Sequence, residues 1–365
     1  MPLSPGQIIK GARASYRLLH PLKGKTVFKA EILGARDLTQ RWAVVKTATG
    51  SLERSALQRE YQTYQNPFVA ESPFIRSLHE GVGDMESLSA AHVVGVAPPC
   101  LVLEWMDTEL RLVPSRAFRG GELPKHVARQ ALKALWVLYY IDSAHTGICL
   151  LSWWSGYSDR ANRGLDVNLN NILISNLNSP VPVVKLADLG MVTPEGFNSQ
   201  RLQSPPCRAP EVWKNQGVSH ASDIWSLGVT LVHWLLGKSI FGARDKRVEG
   251  LTEAYCIAKL ERLVGPLGEL PGDLSVETRE EFRMAALLRD MDMPPPGRGK
   301  LIDVRSLREE LEEIQDPVVP PGLIDFIESL IVVDMEKRPI AHDALKHPYL
   351  DISSESRNGV SVVAN

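Results

Sequence analysis

The feature that most constrains this chain is a change of hydrophobic period near residues 104–110. Before it, apolar residues come in short β-branched runs; after it, they recur at helical spacing over long stretches. Lys25–Ile32 and Trp42–Thr47 read as strands bounded by Gly or Asp, and Pro98-Pro99 precedes another apolar strand, Cys100–Trp105. Between them Ser51–Tyr64 reads as a helix, with Leu52, Ala56, Leu57, Tyr61 and Tyr64 near helical spacing. Beyond Arg111, Leu123–Ile141 carries Val127, Ala131, Leu132, Leu135 and Leu138 on one face, which makes a long amphipathic helix. Ser222–Leu236 reads as a second, with Ser222-Asp223 as its N-cap and Gly237 at its stop. Phe241 to Gly322 reads as loop-rich, broken by Pro294-Pro295-Pro296 and Pro320-Pro321. Helices over Leu323–Val332 and around Ala341–Lys346 close the pattern, and Ile352–Asn365 reads as a frayed tail. A chain of 365 residues is too long for one compact core. The expected class is α+β, a small β-rich lobe followed by a larger, mostly helical one.

The charge balance excludes some functions. A formal net charge of −2 offers no whole-molecule attraction to nucleic acid or to an anionic membrane. No run of about eighteen apolar residues predicts a membrane span. Met1–His20 lacks the apolar core of a signal peptide. Cys100, Cys149, Cys207 and Cys256 show no metal or redox spacing, so four reduced thiols are expected, in a cytoplasmic and/or nuclear protein. The nine histidines form no paired metal motif and read as structural or surface residues.

Four short motifs carry the chemistry, and their order is what makes them specific. Ala43-Val44-Val45-Lys46 ends a strand in a lysine; Glu60 lies on the helix that follows. Asp166-Val167-Asn168-Leu169-Asn170-Asn171 precedes the strand Ile172-Leu173-Ile174, and the strand Val183–Ala187 ends in Asp188-Leu189-Gly190. Read alone, each has a plain structural meaning: a snorkelling lysine, a solvated face, two turns. Together they resemble the protein kinase family, whose set is a strand lysine, a helix glutamate, an Asp-x-x-x-x-Asn loop and an Asp-Phe-Gly triplet, in that order. Ala209-Pro210-Glu211, Asp223-Ile224-Trp225-Ser226-Leu227-Gly228, Arg338 and His347-Pro348-Tyr349-Leu350 extend the likeness over residues 16–350. Residues 16–106 would then be the kinase N-lobe and 107–350 the C-lobe, flanked by an extension (1–15) and a tail (351–365).

The resemblance implies roles. Lys46 would pair with Glu60 and hold the α- and β-phosphates of ATP, Asn171 and Asp188 would hold Mg²⁺, and Asp166 would take the proton of the attacking hydroxyl. Val27, Ala43 and Leu173 would enclose the base, backbone groups of Glu104 and Met106 would bond it, and Leu103 would guard the back pocket. Arg338 would pair with Glu211. Ser204, seven residues before Glu211, stands where serine/threonine kinases bond the catalytic Asp. Arg208, Leu263-Val264-Gly265-Pro266-Leu267 and the Asp-Leu-Gly triplet resemble the branch that includes the SR-protein kinases. The implied partner is a protein substrate, with Arg/Ser-rich sequences as the candidates that this branch suggests, with no direct nucleic acid or membrane partner, and a monomer is expected. The alternative is a pseudokinase that serves as a protein-binding scaffold with weak or no ATP turnover.

The sequence also departs from the family. Aligning Val27 with the valine of Gly-x-Gly-x-x-Gly-x-Val puts His20, Leu22 and Lys25 at the glycine positions, leaving only Gly24 nearby. Lys25 is then the candidate that supplies charge in place of glycine backbone. Gly147-Ile148-Cys149-Leu150 opens a catalytic loop whose Asp is due at 152, yet Asp166 arrives fourteen residues later, with Gly164 and Leu165 where His and Arg belong. Leu151–Leu165 matches no element of the family; a genuine insertion and a translated intron both account for it. Asn168 stands where a lysine neutralises the γ-phosphate, which predicts slow turnover. The segment Asp188–Glu211 is short, so no phosphorylation there is expected to be required.

Overall fold

A computed structural model describes residues 3–35, 41–86, 98–146, 169–197, 200–293 and 297–351. Contacts divide the chain into two compact units, Met1–Glu109 with Asn171–Thr193, and Leu110–Asn170 with Pro194–Asn365.

The first unit is built on an antiparallel sheet of β1 (Ile8–Lys10), β2 (Ser15–Lys23), β3 (Val27–Leu33), β4 (Trp42–Thr47), β5 (Leu78–Val82) and β6 (Cys100–Glu104), in the order β1-β2-β3-β4-β6-β5. Leu18, Phe28, Ala30, Ala43, Val45 and Val102, buried from alternate strand positions, pack as its core. Helix α1 (Ser51–Tyr64) follows β4 and turns Leu57, Glu60 and Tyr64 inward. A second antiparallel sheet joins β7 (Thr108–Glu109), β8 (Ile172–Ser175) and β9 (Val183–Leu186) in the order β9-β8-β7. That pairing is why residues 171–193 group with the first unit, within the span 107–350 that the sequence reading assigned to the C-lobe.

Strands β1, β2, β5 and β7 were not expected. The first of them is held by a buried carboxylate. Glu80 accepts the backbone N–H of Ala12 at 2.6 Å, that of Arg13 at 3.2 Å and the Tyr16 hydroxyl at 2.6 Å. A Cβ at Gly11 would overlap this carboxylate, so the turn needs glycine there. Burial pushes Glu80 up, but these donors outweigh it and keep it below the usual glutamate range.

The second unit is helical: α2 (Leu123–Tyr140), α3 (His220–Leu236), α4 (Thr252–Val264), α5 (Val276–Asp290), α6 (Leu307–Glu312) and α7 (Pro321–Leu330). The expectation of a loop-rich stretch is therefore corrected: three helices, α4, α5 and α6, lie inside 241–322. Their apolar faces, Ala254, Ile257, Ala258 and Leu260 on α4 and Phe282, Ala285 and Leu288 on α5, are buried at helical spacing, and prolines flank these helices without entering them. Helix α3 is buried almost all round and stops, as expected, at Gly237 in the left-handed region (φ 66°). Its start differs: the N-cap is Ser219, whose N–H donates to the Ser222 hydroxyl at 3.2 Å from within the first turn. Asp223, expected at the cap, is buried and accepts the backbone N–H of His145 at 2.5 Å and of Thr146 at 3.1 Å. Burial pushes its carboxyl up to about 7 against the lowering effect of those two donors.

Cys100 and Cys256 are free and buried, as expected. Cys207 is disulfide-bonded, which corrects the expectation of four reduced thiols. Cys149 lies outside the described residues. Among those residues no helix is long and apolar enough to cross a membrane.

Candidate active site

Strand β4 ends by delivering Lys46 to the inner side of α1. Its ammonium donates to Glu60 at 2.6 Å and to Asp188 at 2.6 Å. Glu60 is 1% exposed, whereas Lys46 and Asp188 keep 23% and 34% of their side-chain surface open. Burial alone would lower the Lys46 pKa; the Asp188 and Glu60 carboxylates more than reverse this and hold the ammonium well above its usual range. Burial raises Glu60, opposed by Lys46. The lysine is thus a fixed cation with two anionic partners, one sealed and one open.

Asp188 follows β9 in the left-handed conformation (φ 62°), uncommon for a residue with a side chain and worth on the order of 1 kcal/mol in strain. The segment after it is seated on α1: Arg59 Nε donates to the Gly190 carbonyl at 3.0 Å, and a Cβ at Gly190 would lie 3.0 Å from the Ala56 carbonyl oxygen. Glycine suits this close approach, since a side chain there would press the backbone of α1 by a few tenths of an ångström. Leu189, in place of the family's phenylalanine, is fully buried. Asn171 ends a 3₁₀ turn before β8; it is buried, and its carbonyl accepts the Ala187 N–H at 2.8 Å, tying the turn to the strand that carries Asp188. Asn171 and Asp188 provide a carboxamide and a carboxylate, the hard oxygen donors that suit Mg²⁺.

Register sets the remaining positions. Val27 on β3 lies opposite Lys46, and Ala43 on β4 lies opposite Glu104 on β6. Ala43, Leu103 and Met106 are buried, and Leu173 on β8 pairs with Glu109 of β7. Glu104 is fully engaged: its carboxylate takes Lys185 at 2.7 Å and the Ser77 N–H at 3.0 Å, and its own N–H donates to Ser77 O at 2.9 Å. Those donors outweigh burial and hold its carboxyl below the usual range.

The expected phosphate loop is a closed hairpin. Pairing of β2 with β3 runs on, with bulges, to Lys23 opposite Val27, leaving only Gly24, Lys25 and Thr26 to turn. Gly24 takes a left-handed φ of 55°, and Lys25 is exposed at the tip. His20 and Leu22 sit within the paired strand, not in a loop.

In the second unit Ser204 is buried, and its carbonyl accepts the Cys207 N–H at 2.9 Å. Arg208 folds back on its own segment, donating to the Leu202 and Gln203 carbonyls at 3.1 and 3.0 Å and lying 4.3 Å from the Trp213 ring centroid. Arg338 meets Glu211 as expected, with two parallel bonds of 2.8 and 3.0 Å. Asp166, Asn168 and the segment Leu151–Leu165 fall outside the described residues. A buried histidine does precede the interrupted loop, at 145, whereas Gly164 stands where the family's histidine belongs. Its signal in the sequence is its place two residues before Gly147. Arg76 and Tyr64 were missed as well: the Tyr64 hydroxyl donates to Arg76 O at 2.6 Å, and Arg76 Nε to Glu104 O at 2.7 Å.

The family model for the protein kinase domain matches residues 165–350. Human dual specificity protein kinase CLK1 is 28% identical over 176 residues, 48% of this chain and 34% of that protein. A probable serine/threonine-protein kinase of Dictyostelium discoideum, clkA, is 24% identical over 315 residues, 80% of this chain and 32% of its own. The chain thus spans about a third of the length of these curated relatives. A crystal structure of a kinase domain superposes with a TM-score of 0.62 at 17% identity, covering 96% of this chain and 98% of its own, which shows the fold. With the family model covering half of the chain and the strand lysine, helix glutamate and Asp-Leu-Gly aspartate meeting in space, the chain belongs to the protein kinase family.

Proposed function

We propose that the chain transfers the γ-phosphate of ATP to serine or threonine of a protein substrate. The observation that carries this is Lys46, bridging Glu60 and Asp188 at 2.6 Å each. A cation held so by a buried and an open carboxylate is fixed in place yet still has surface for an anion. Phosphoryl transfer needs positioning and charge more than covalent chemistry, so a sparse polar set suffices. Lys46 binds the α- and β-phosphates, and Glu60 keeps it from collapsing onto Asp188 alone. Asn171 and Asp188 hold Mg²⁺, which when bound neutralises charge on the phosphates. Asp166 accepts the proton of the attacking hydroxyl. Val27, Ala43, Leu103, Met106 and Leu173 enclose the base.

The kinship to CLK-type kinases supports an Arg/Ser-rich acceptor and a protein of the cytoplasm or nucleus. Radiolabelled ATP with an Arg/Ser-rich peptide tests the activity, with Asp166→Ala as control. Label transfer that disappears in the control is expected; equal signal from both proteins ends the enzyme reading.

One observation favours a second reading, a scaffold with weak or no turnover. The β2–β3 hairpin is paired almost to its tip, so the backbone N–H groups that face the partner strand are committed to the sheet and not to phosphate. Thermal unfolding with and without Mg·ATP separates the two. A shift with no label transfer supports the scaffold.

A further inference from the structure

We infer that Arg76 occupies the adenine-amine position of the nucleotide site and makes this kinase indifferent to the 6-amino group of ATP. The inference rests on the nucleotide-binding reading above and concerns the base, not the phosphates.

The exocyclic amine of adenine is a hydrogen-bond donor, so its partner on the strand end must be an acceptor. Glu104 has two backbone groups. Its N–H is already given to Ser77 O at 2.9 Å, which leaves the carbonyl. That carbonyl accepts Arg76 Nε at 2.7 Å. A donor of this chain thus stands where the donor of adenine would have to come.

Arg76 is held there from both sides. Its N–H donates to Leu186 O at 2.8 Å, and its carbonyl takes the Tyr64 hydroxyl at 2.6 Å. The strand carrying Asp188 and the helix carrying Glu60 therefore both fix its backbone. Its guanidinium lies in the field of Glu60, Glu104 and Asp188, which oppose the lowering of its pKa by burial. Its terminal nitrogens make no hydrogen bond or ion pair among the described residues, so only Nε is committed. A carbonyl has a second lone pair. Using it for adenine would set the amine's positive hydrogens beside a guanidinium, and the two repel. A charge-assisted bond is also stronger than the neutral one that would displace it.

The usual reward for the adenine amine is one neutral hydrogen bond, worth about fivefold in affinity. Binding of Mg·ATP is compared with that of purine riboside triphosphate, which has hydrogen in place of the 6-amino group, by calorimetry on the full chain. Wild type should bind the two with equal affinity. Arg76→Met, which keeps an unbranched stem about as far as Nε and removes the donors, should prefer ATP by about fivefold. Arg76→Val is the second variant should the first fail to fold, and thermal unfolding checks both. A wild type that already prefers ATP by fivefold overturns the inference while leaving nucleotide binding intact. A variant that stays indifferent also overturns it. No binding of either nucleotide to wild type or variants overturns the nucleotide reading and this inference with it.

Discussion

Each unit of the molecule holds a cluster in which a cation meets a buried carboxylate, and the two are built to opposite ends. In the second, Arg338 is sealed: its side chain is 0% exposed and that of Glu211 is 3%. Beyond the bidentate pair, Arg338 donates to the carbonyls of Ala221 at 2.7 Å and Val332 at 2.8 Å, and the Ser222 hydroxyl donates to Glu211 at 2.8 Å. Nearly every donor and acceptor is matched within the protein. In the first, Lys46 meets two carboxylates but remains partly open, as does Asp188. A buried pair with complete partners fixes structure; a pair left open on one side can exchange a partner for a ligand. The same chemistry, cation with carboxylate, is an anchor in one place and a site in the other.

The comparison breaks most visibly at the anchor. Arg338→Met leaves Glu211 buried without its cation, which should cost about 3–5 kcal/mol of stability. That is a large share of what a domain has, so chemical denaturation should show a marked loss. The double variant Glu211→Leu with Arg338→Leu should recover much of it, since the stranded charge is gone. If the single variant unfolds like wild type, the pair is not an anchor. At the open cluster the sign of the effect changes. Lys46→Met should lower kcat by on the order of 10²–10³, the loss typical of one preorganised electrostatic donor, with a smaller change in stability than at Arg338. Label transfer and thermal unfolding of the same samples check both halves. A variant with full activity removes Lys46 from the reaction.

How much of this was legible in the sequence follows from what each feature depends on. Lys46, Glu60 and Asp188 were readable because each sits at a fixed place on a periodic element, and the order of those elements identifies them. Glu211 and Arg338 were readable for the same reason, though 127 residues apart in the chain. Arg76 was not. It depends on how the segment before β5 lies against the end of β6, and residues 71–77 carry no period that would place them. Strand β1 was hidden too, because a carboxylate at Glu80 holds its turn and no local pattern announces that. Helices α4 and α5 were masked by nearby prolines, which punctuate a sequence strongly even when they stand outside the helix. The paired β2–β3 hairpin was half legible: missing glycines showed that the phosphate loop is altered, but not that the strands run on through it.

Burial in the second unit also gives a pH signature. His233 on α3 is fully buried, and burial, with the Lys259 charge, pushes its pKa down to about 3. In the unfolded chain a histidine titrates near 6.5. Between these values the unfolded state takes a proton that the folded state refuses, so the unfolded state binds more protons. Stability from this group is therefore complete above about pH 6.5 and is lost as pH falls toward 3. Wild type should lose about 2 kcal/mol more than His233→Gln between pH 7 and pH 5, read from denaturant unfolding at each pH. Parallel pH profiles would mean that His233 can take up a proton in place.

The smallest effect is expected at the tip of the β2–β3 hairpin, where the first unit has replaced glycine backbone with a side chain. Lys25 is exposed, and exposed charge interactions are worth about 0.2–1 kcal/mol. Lys25→Ala should therefore raise the Kd for Mg·ATP by roughly 1.5- to 5-fold, and the difference should shrink as salt is raised because such charges are screened. This separates two ways of holding phosphate. A rigid cation such as Lys46 contributes at any ionic strength the protein survives, while a mobile one at a turn contributes only when salt is low. Calorimetry at two salt concentrations reads the distinction, and an unchanged Kd at low salt would show that the hairpin tip takes no part in binding phosphate.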